Sequence, residues 1–374
     1  MDTLFGEKRL NPLRIACKLD AVLRHGVGLR IGWGKLSAII AGNQSDKILY
    51  VNKDEGSLWI AEVNSAKVLK KLDIDDGPHE VAVSSDGKTA VAGNYFFKGS
   101  PKNTLKVVDV ESGKLLKNID LTPYENPHGI EFISSNQVLV TAERQNKLLL
   151  VNINSGKIEK EISTNGGLHM VKIDDSKNYA YGTALQTGEL NIIDLKNNYK
   201  VESIKTGQGV EGIGVRPNSS EVWVGNNSEH NVKVVDIKSK KVVYTFETGL
   251  MPIRVSFTND GKYALVSRFI VGDIEVYDAD SRKLVSTIDF GYHKLDANEY
   301  INADEDKQKE MIDKVIKEGA RPIGVVSDPD NKYLYVTLRG QKKIAVVEVG
   351  SWKVIKTIEG GEGPDGIAYS RILK

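Results

Sequence analysis

From Lys47 onward, apolar residues fall in short alternating runs separated by polar turns. Leu105-Lys106-Val107-Val108-Asp109, Leu148-Leu149-Leu150-Val151-Asn152, Leu190-Asn191-Ile192-Ile193-Asp194, Val232-Lys233-Val234-Val235-Asp236 and Ile274-Glu275-Val276-Tyr277-Asp278 are rich in β-branched residues at a period of two, which predicts strands and not helices. These runs are the third strands of a repeating four-strand unit. In each unit a motif like Gly-Pro-His opens a first strand, and a turn such as Ser85-Asp86-Gly87-Lys88 leads to the second. A loop precedes the strand ending in Val-Asp, and Ser-Gly-Lys leads to the fourth. First strands open at Pro78, Pro127, Leu168, Val210, Pro252, Pro322 and Pro364; second strands begin at Lys47, Lys88, Gln137, Asn178, Glu221, Lys262 and Lys332. The first unit lacks a first strand and the last first strand lacks a unit, so a ring resolves both. Gly366 to Ser370 is expected to become the innermost strand of the blade built from residues 47 to 75, which removes two exposed edges. The predicted fold is an all-β, seven-bladed β-propeller over residues 46–374, closed through its C-terminal strand.

Residues 1–45 break the pattern. Asn11-Pro12 offers a helix start, Leu13, Ala16, Leu19, Val22 and Leu23 recur at helical spacing, and Gly26 offers a stop. This predicts a short helical extension, a docking arm or leader remnant, whose apolar run Leu36 to Ala41 is too short for a secretory signal. With 51 basic and 50 acidic residues there is no global field to attract nucleic acid or an anionic membrane. The single cysteine, Cys17, excludes a disulfide framework and a cysteine zinc site. No run is long enough to span a bilayer. A soluble monomer with a small-molecule partner is expected.

Tyr50-Val51-Asn52 and Tyr335-Val336-Thr337, together with the Asp-Gly-Lys turns and Val-Val-Asp strands, give the chain a resemblance to the YVTN-type β-propeller repeat family over roughly residues 46 to 374. The resemblance implies a periplasmic, cell-surface or extracellular protein. It also places the chain in a superfamily that includes lactonases, a streptogramin lyase and quinoprotein subunits.

Equivalent positions of a propeller form rings. The residue after each first-strand opening is His79, His128, His169, Glu211, Ile253, Ile323 and Asp365, and circular order sets Asp365 beside His79. Six histidines in 374 residues would place about 0.1 of one in seven positions by chance, yet three are there. Three imidazoles with a carboxylate suggest a divalent transition metal, zinc before others, held by His79, His128 and His169. Histidines that merely cap backbone would recur in most blades. Glu211 and Asp365 are the candidate general bases, Arg254 the candidate holder of a carboxylate or oxyanion, and Ile253 and Ile323 the apolar side. A second ring, read from the ends of the second strands, is Lys53, Asn94, Glu143, Ala184, Asn227, Arg268 and Leu338; Asn94, Glu143, Asn227 and Arg268 are its candidates for orienting a substrate.

Two insertions map to the same face. Residues 291–320, with helical composition from Asp304 to Glu318 and Met311, Val315 and Ile316 along one side, are expected to form a lid. Tyr95-Phe96-Phe97 lengthens a loop that would supply an aromatic wall. Gly207-Gln208-Gly209-Val210-Glu211-Gly212 lies between two strands and opens no helix, so it is not a dinucleotide fingerprint. No nucleophile elbow or Walker loop is present. Two functions follow as expectations: a metal-dependent hydrolase of small esters or lactones, or a non-catalytic ligand-binding propeller.

Overall fold

The computed structural model describes residues 46–372 apart from positions 76, 98 and 219. The expected helix near the start of the chain lies outside the described residues. Seven antiparallel four-stranded sheets form the blades. Blades 2 to 7 each use four consecutive strands, whereas blade 1 has the order Pro364–Ser370, Lys47–Asn52, Ser57–Glu62, Lys67–Asp73. This is the predicted closure, with Lys47 opposite Ser370 and Tyr50 opposite Ile367. Side chains reinforce it. The Tyr369 hydroxyl donates to Asp46 at 2.6 Å, Arg371 pairs with Asp46 at 2.6 Å and Asp330 at 3.0 Å, and Ser370 Oγ donates to the Gly87 carbonyl at 2.7 Å.

The seven innermost strands begin at the residues expected from the repeat. Five of those residues are proline, which is tolerated because the innermost strand turns one edge to the channel and needs no donor there. The recurrent Val-Asp also has a local cause. Asp109, Asp236 and Asp278 each accept the backbone N–H three residues on, at 2.8, 2.7 and 2.8 Å, and so close the turn into the outer strand.

Burial follows from sheets packing face to face. The second strand Lys47–Asn52 is buried throughout, while the outer strand Lys67–Asp73 is largely exposed. The hydrophobic core is a series of seams between blades. Val91, Leu105, Ile130, Val140 and Leu149 join blades 2 and 3, and Leu265, Ile274, Leu334 and Val336 join blades 6 and 7. These seams fix each blade's angle and leave the axis to polar side chains.

The 291–320 insertion forms α1 (Ala297–Asn302) and α2 (Glu305–Glu318), capped by Asp296 and Asp304. Its apolar side packs down: Leu295 and Val315 are buried with Leu250 and Val271 from the loops bordering blade 6. Among the described residues, no helix is long and apolar enough to cross a membrane.

Candidate functional site

Each innermost strand shifts register after its first residue. Pro78 lies opposite Asn94 but Glu80 opposite Gly93, which leaves His79 as the bulged residue, and blades 4, 5 and 6 repeat the shift at Leu168, Val210 and Pro252. A bulge re-aims the side chain it leaves unpaired. All seven residues of the expected first ring line one cavity of about 240 Å³ at the channel mouth, together with Met251, Arg254, Phe269 and Arg339.

Hydroxyls near the ends of the second strands hold this ring from behind. Thr141 Oγ1 accepts from the Gly129 N–H at 2.9 Å and donates to the His169 carbonyl of the next blade at 3.3 Å. Thr183 Oγ1 donates to the Glu211 carbonyl at 2.9 Å and Thr337 Oγ1 to the Asp365 carbonyl at 2.7 Å. The strands approach closely enough that a Cβ at Gly366 would stand 2.5 Å from the His79 carbonyl oxygen, and one at Gly129 2.5 Å from the Val171 nitrogen.

The imidazoles form a stack. His128 and His169 lie 3.8 Å apart between ring centres at 30°, and His79 lies 5.0 Å from His128. Tyr95 sets its ring edge-to-face against His79 and His128, each at 4.8 Å. Glu143 accepts from the Tyr95 hydroxyl at 2.8 Å and faces His169 Nδ1 at 3.1 Å, while Asp365 lies 3.5 Å from His79 Nδ1. Burial, followed by the charges of Lys53 and His169, holds His79 well below its ordinary range; burial, followed by His169 and His79, does the same to His128. Both are neutral at neutral pH. Burial pushes the Asp365 carboxyl up to about 6 against the pull of Arg339 and Arg254. His79 Nε2, His128 Nδ1 and Asp365 Oδ1 are buried without a hydrogen-bond partner among the described residues.

This geometry does not support the expected zinc site. A zinc site needs nitrogen lone pairs converging on one point about 2.0–2.1 Å away. Lone pairs lie in the ring planes, and the nearly parallel planes of His128 and His169 cannot converge on a common centre. Among the described residues no group of three or more His, Cys, Asp or Glu side chains is arranged to hold a metal ion. Arg254, the candidate holder of a carboxylate or oxyanion, is engaged by the chain's own carboxylates. Its guanidinium spans the channel, donating to Glu80 at 2.7 Å, Glu211 at 3.3 Å and the Ile253 carbonyl at 3.0 Å. Burial opposes its charge, but Glu80 and Glu211 outweigh burial and hold it protonated.

The second ring mixes two levels. Asn94, Ala184, Arg268 and Leu338 stand opposite the strand openings. Asn94 donates to the Ile74 carbonyl at 2.7 Å, and Arg268 binds the Thr248 carbonyl and Asp273, both at 2.8 Å, so these two secure loops and do not line the cavity. The level nearer the site is one residue later: Lys53, Tyr95, Glu143, Asn227, Phe269 and Arg339, of which Phe269 and Arg339 line the cavity. Each of the six donates its backbone N–H to a carbonyl just before an innermost strand, from Lys53 to Gly363 at 2.9 Å to Arg339 to Arg321 at 3.2 Å. Asn227 also donates to Glu211 at 2.6 Å. Phe269 and Arg339 are the residues this slip hides, while Tyr95, expected as part of an aromatic wall, stands at the same level. No residue of the 291–320 insertion lines the cavity.

Among solved structures, a functionally unknown protein from Desulfotomaculum acetoxidans superposes with a TM-score of 0.69 at 13% identity, covering 87% of this chain and 99% of that one. Kuenenia stuttgartiensis hydrazine synthase superposes with a TM-score of 0.62 at 17% identity, covering 79% and 95%. At these identities the likeness is one of fold. No curated protein matches the chain in sequence. Tyr50-Val51-Asn52 and Tyr335-Val336-Thr337, which carried the YVTN-type resemblance, lie outside the segment that matches a family model, residues 101–294. That segment spans more than half of the chain and includes His128, His169, Glu211 and Arg254, and by it the chain belongs to the Cytochrome D1 heme domain family.

Proposed function

We propose that this protein is a ligand-binding propeller whose channel mouth receives a heme-class tetrapyrrole through one imidazole of the His79, His128 and His169 group. The observation that carries the reading is the pair of buried, unpartnered imidazole nitrogens, His79 Nε2 and His128 Nδ1, in a member of a heme-domain family. Buried polar atoms without partners are rare and each calls for an explanation. A ligand atom supplies one here.

The residues fit such a group in kind. Axial ligation takes a single imidazole, so the stacking that defeats a three-histidine zinc site is no obstacle. Burial keeps His79 and His128 in the neutral form that ligates. Met251, Ile253, Phe269 and Ile323 supply an apolar wall opposite the imidazoles. The cavity, about 240 Å³, is smaller than the roughly 300–1,000 Å³ of sites that bury drug-sized ligands, so the mouth takes in part of a macrocycle. When bound, the group supplies a redox-active iron whose potential follows its axial ligand and the burial around it.

The chain's own residues orient and protect. Glu143 and Tyr95 fix His169, the hydroxyls of Thr141, Thr183 and Thr337 hold the backbone of the ring, and the Arg254 bridge to Glu80 and Glu211 closes the channel beneath it. The reading keeps a periplasmic or extracellular location and a monomer as its companions. Hemin titration followed in the Soret region tests it. Saturable one-to-one binding is expected, weakened at least about tenfold by His79→Ala or His128→Ala. Failure to take up hemin, or uptake indifferent to all three single His→Ala changes, overturns it.

A further inference from the structure

We infer that Lys53 and Arg321, on the sector of the mouth formed by blades 1 and 7, are the countercharges for a carboxylate of the bound ligand. The inference rests on the heme-class reading for the ligand's identity and on a separate observation for the residues. Every other cation around the mouth is paired: Arg254 with Glu80 and Glu211, Arg339 with Asp54 at 2.8 Å and Asp365 at 3.4 Å. Lys53 and Arg321 are not. Neither side chain has a hydrogen-bond or ion-pair partner among the described residues, and Arg321 Nε is fully buried while its guanidinium lies 6.0 Å from the Phe269 ring centre.

Both residues are placed by backbone contacts and not by their charges. The Lys53 N–H donates to Gly363 at 2.9 Å, two residues before Asp365, and the Arg321 carbonyl accepts from Arg339, two residues from the ring position Ile323. The Arg321 φ of 50° is the left-handed geometry that Gly77, Asn126, Gly209, Met251 and Gly363 also adopt just before their innermost strands, so the backbone there is set by the repeat. A partly buried cation without a partner is a cost to the fold. Its cost is visible in the downward pull on both groups, led by burial in each case and opposed at Lys53 by Asp365 and at Arg321 by Asp54. Positions that are unfavourable in the free protein are expected where a ligand completes them. A carboxylate meeting an ammonium and a guanidinium gains charge-assisted hydrogen bonds that water-exposed pairs lack. Neither cation lines the cavity itself, but Arg321 lies against Phe269, and the charges of Arg339 and Asp54 act on both Arg321 and Lys53, so the anionic end of a ligand would rest at the rim while its apolar body lies along Phe269, Ile253 and Ile323.

The test compares metal-free protoporphyrin with its dimethyl ester, which removes the carboxylates and leaves the ring system, and adds succinate at constant ionic strength as a small probe. Wild type should bind the free acid about tenfold more tightly than the ester. Lys53→Met with Arg321→Met should abolish that preference and the rise in Tm caused by succinate. The same double variant should keep or raise the Tm of the free protein and should still take up hemin through its imidazoles, about tenfold more weakly than wild type. A merely structural role predicts a fall in Tm instead. Equal binding of acid and ester while hemin is still taken up overturns this inference and leaves the heme-class reading standing. A succinate effect that depends on Lys53 and Arg321, with no tetrapyrrole bound, supports the anion site and removes the heme-class reading. No response to any of the three probes overturns both.

Discussion

Asp365 shows how single residues at the mouth set stability against pH. Its carboxyl is 2% exposed and is pushed up to about 6 by burial, above the ordinary value of 3.8. An acid with a raised folded value favours the protonated form in the fold. Its contribution is therefore neutral below about pH 4, grows unfavourable between about 4 and 6, and stays so above, at about 3 kcal/mol. Asp365→Asn should raise the stability of the free protein at pH 7, and the difference from wild type, measured by urea unfolding, should shrink as pH falls from 6 to 4. A difference that does not change with pH would show that Asp365 is ionised throughout. Thr141 makes a second case. Thr141→Val leaves the Gly129 N–H and the His169 carbonyl without their partner and should cost about 1–3 kcal/mol in the same assay. The ring residues themselves were legible in the sequence because the repeat marks their position in every blade. Their chemistry was not, since the stacking of His128 on His169 depends on side-chain angles that spacing leaves open.

At the scale of elements, strand register decides which side chains reach the site. A slip of one residue turns a side chain to the other face. Reading Asn94, Arg268 and Leu338 where Tyr95, Phe269 and Arg339 belong followed from loops of unequal length, which hide the shared register that the backbone N–H contacts reveal. The insertion teaches a related lesson. Helical composition over Asp304 to Glu318 was legible, but the direction of its apolar side was not, and Leu295 and Val315 bury against Leu250 and Val271. Replacing residues 291–320 by a Gly-Ser loop should lower the Tm, and Leu295→Ala alone should cost about 2–5 kcal/mol by calorimetry or urea unfolding. An unchanged Tm with altered ligand entry would support the expected lid instead.

For the whole molecule, ring closure followed from counting strands, because a unit missing its first strand and a first strand missing its unit have one economical solution. The pairing of Pro364–Ser370 with Lys47–Asn52 bears this out. Deleting residues 363–374 removes that strand together with Asp365 and the Arg371 pairs to Asp46 and Asp330, and should abolish a cooperative melt. What the propeller holds at its axis was less legible, because a fold of this kind hosts many functions and the site alone distinguishes them. The most direct test of the account is the position of iron in crystals grown with hemin, located by anomalous difference maps at the iron edge. A single peak at the channel mouth, within bonding distance of one imidazole among His79, His128 and His169, is the predicted result. Iron in the separate groove lined by Tyr179, Tyr181 and Lys240, or no ordered iron at all, would contradict it.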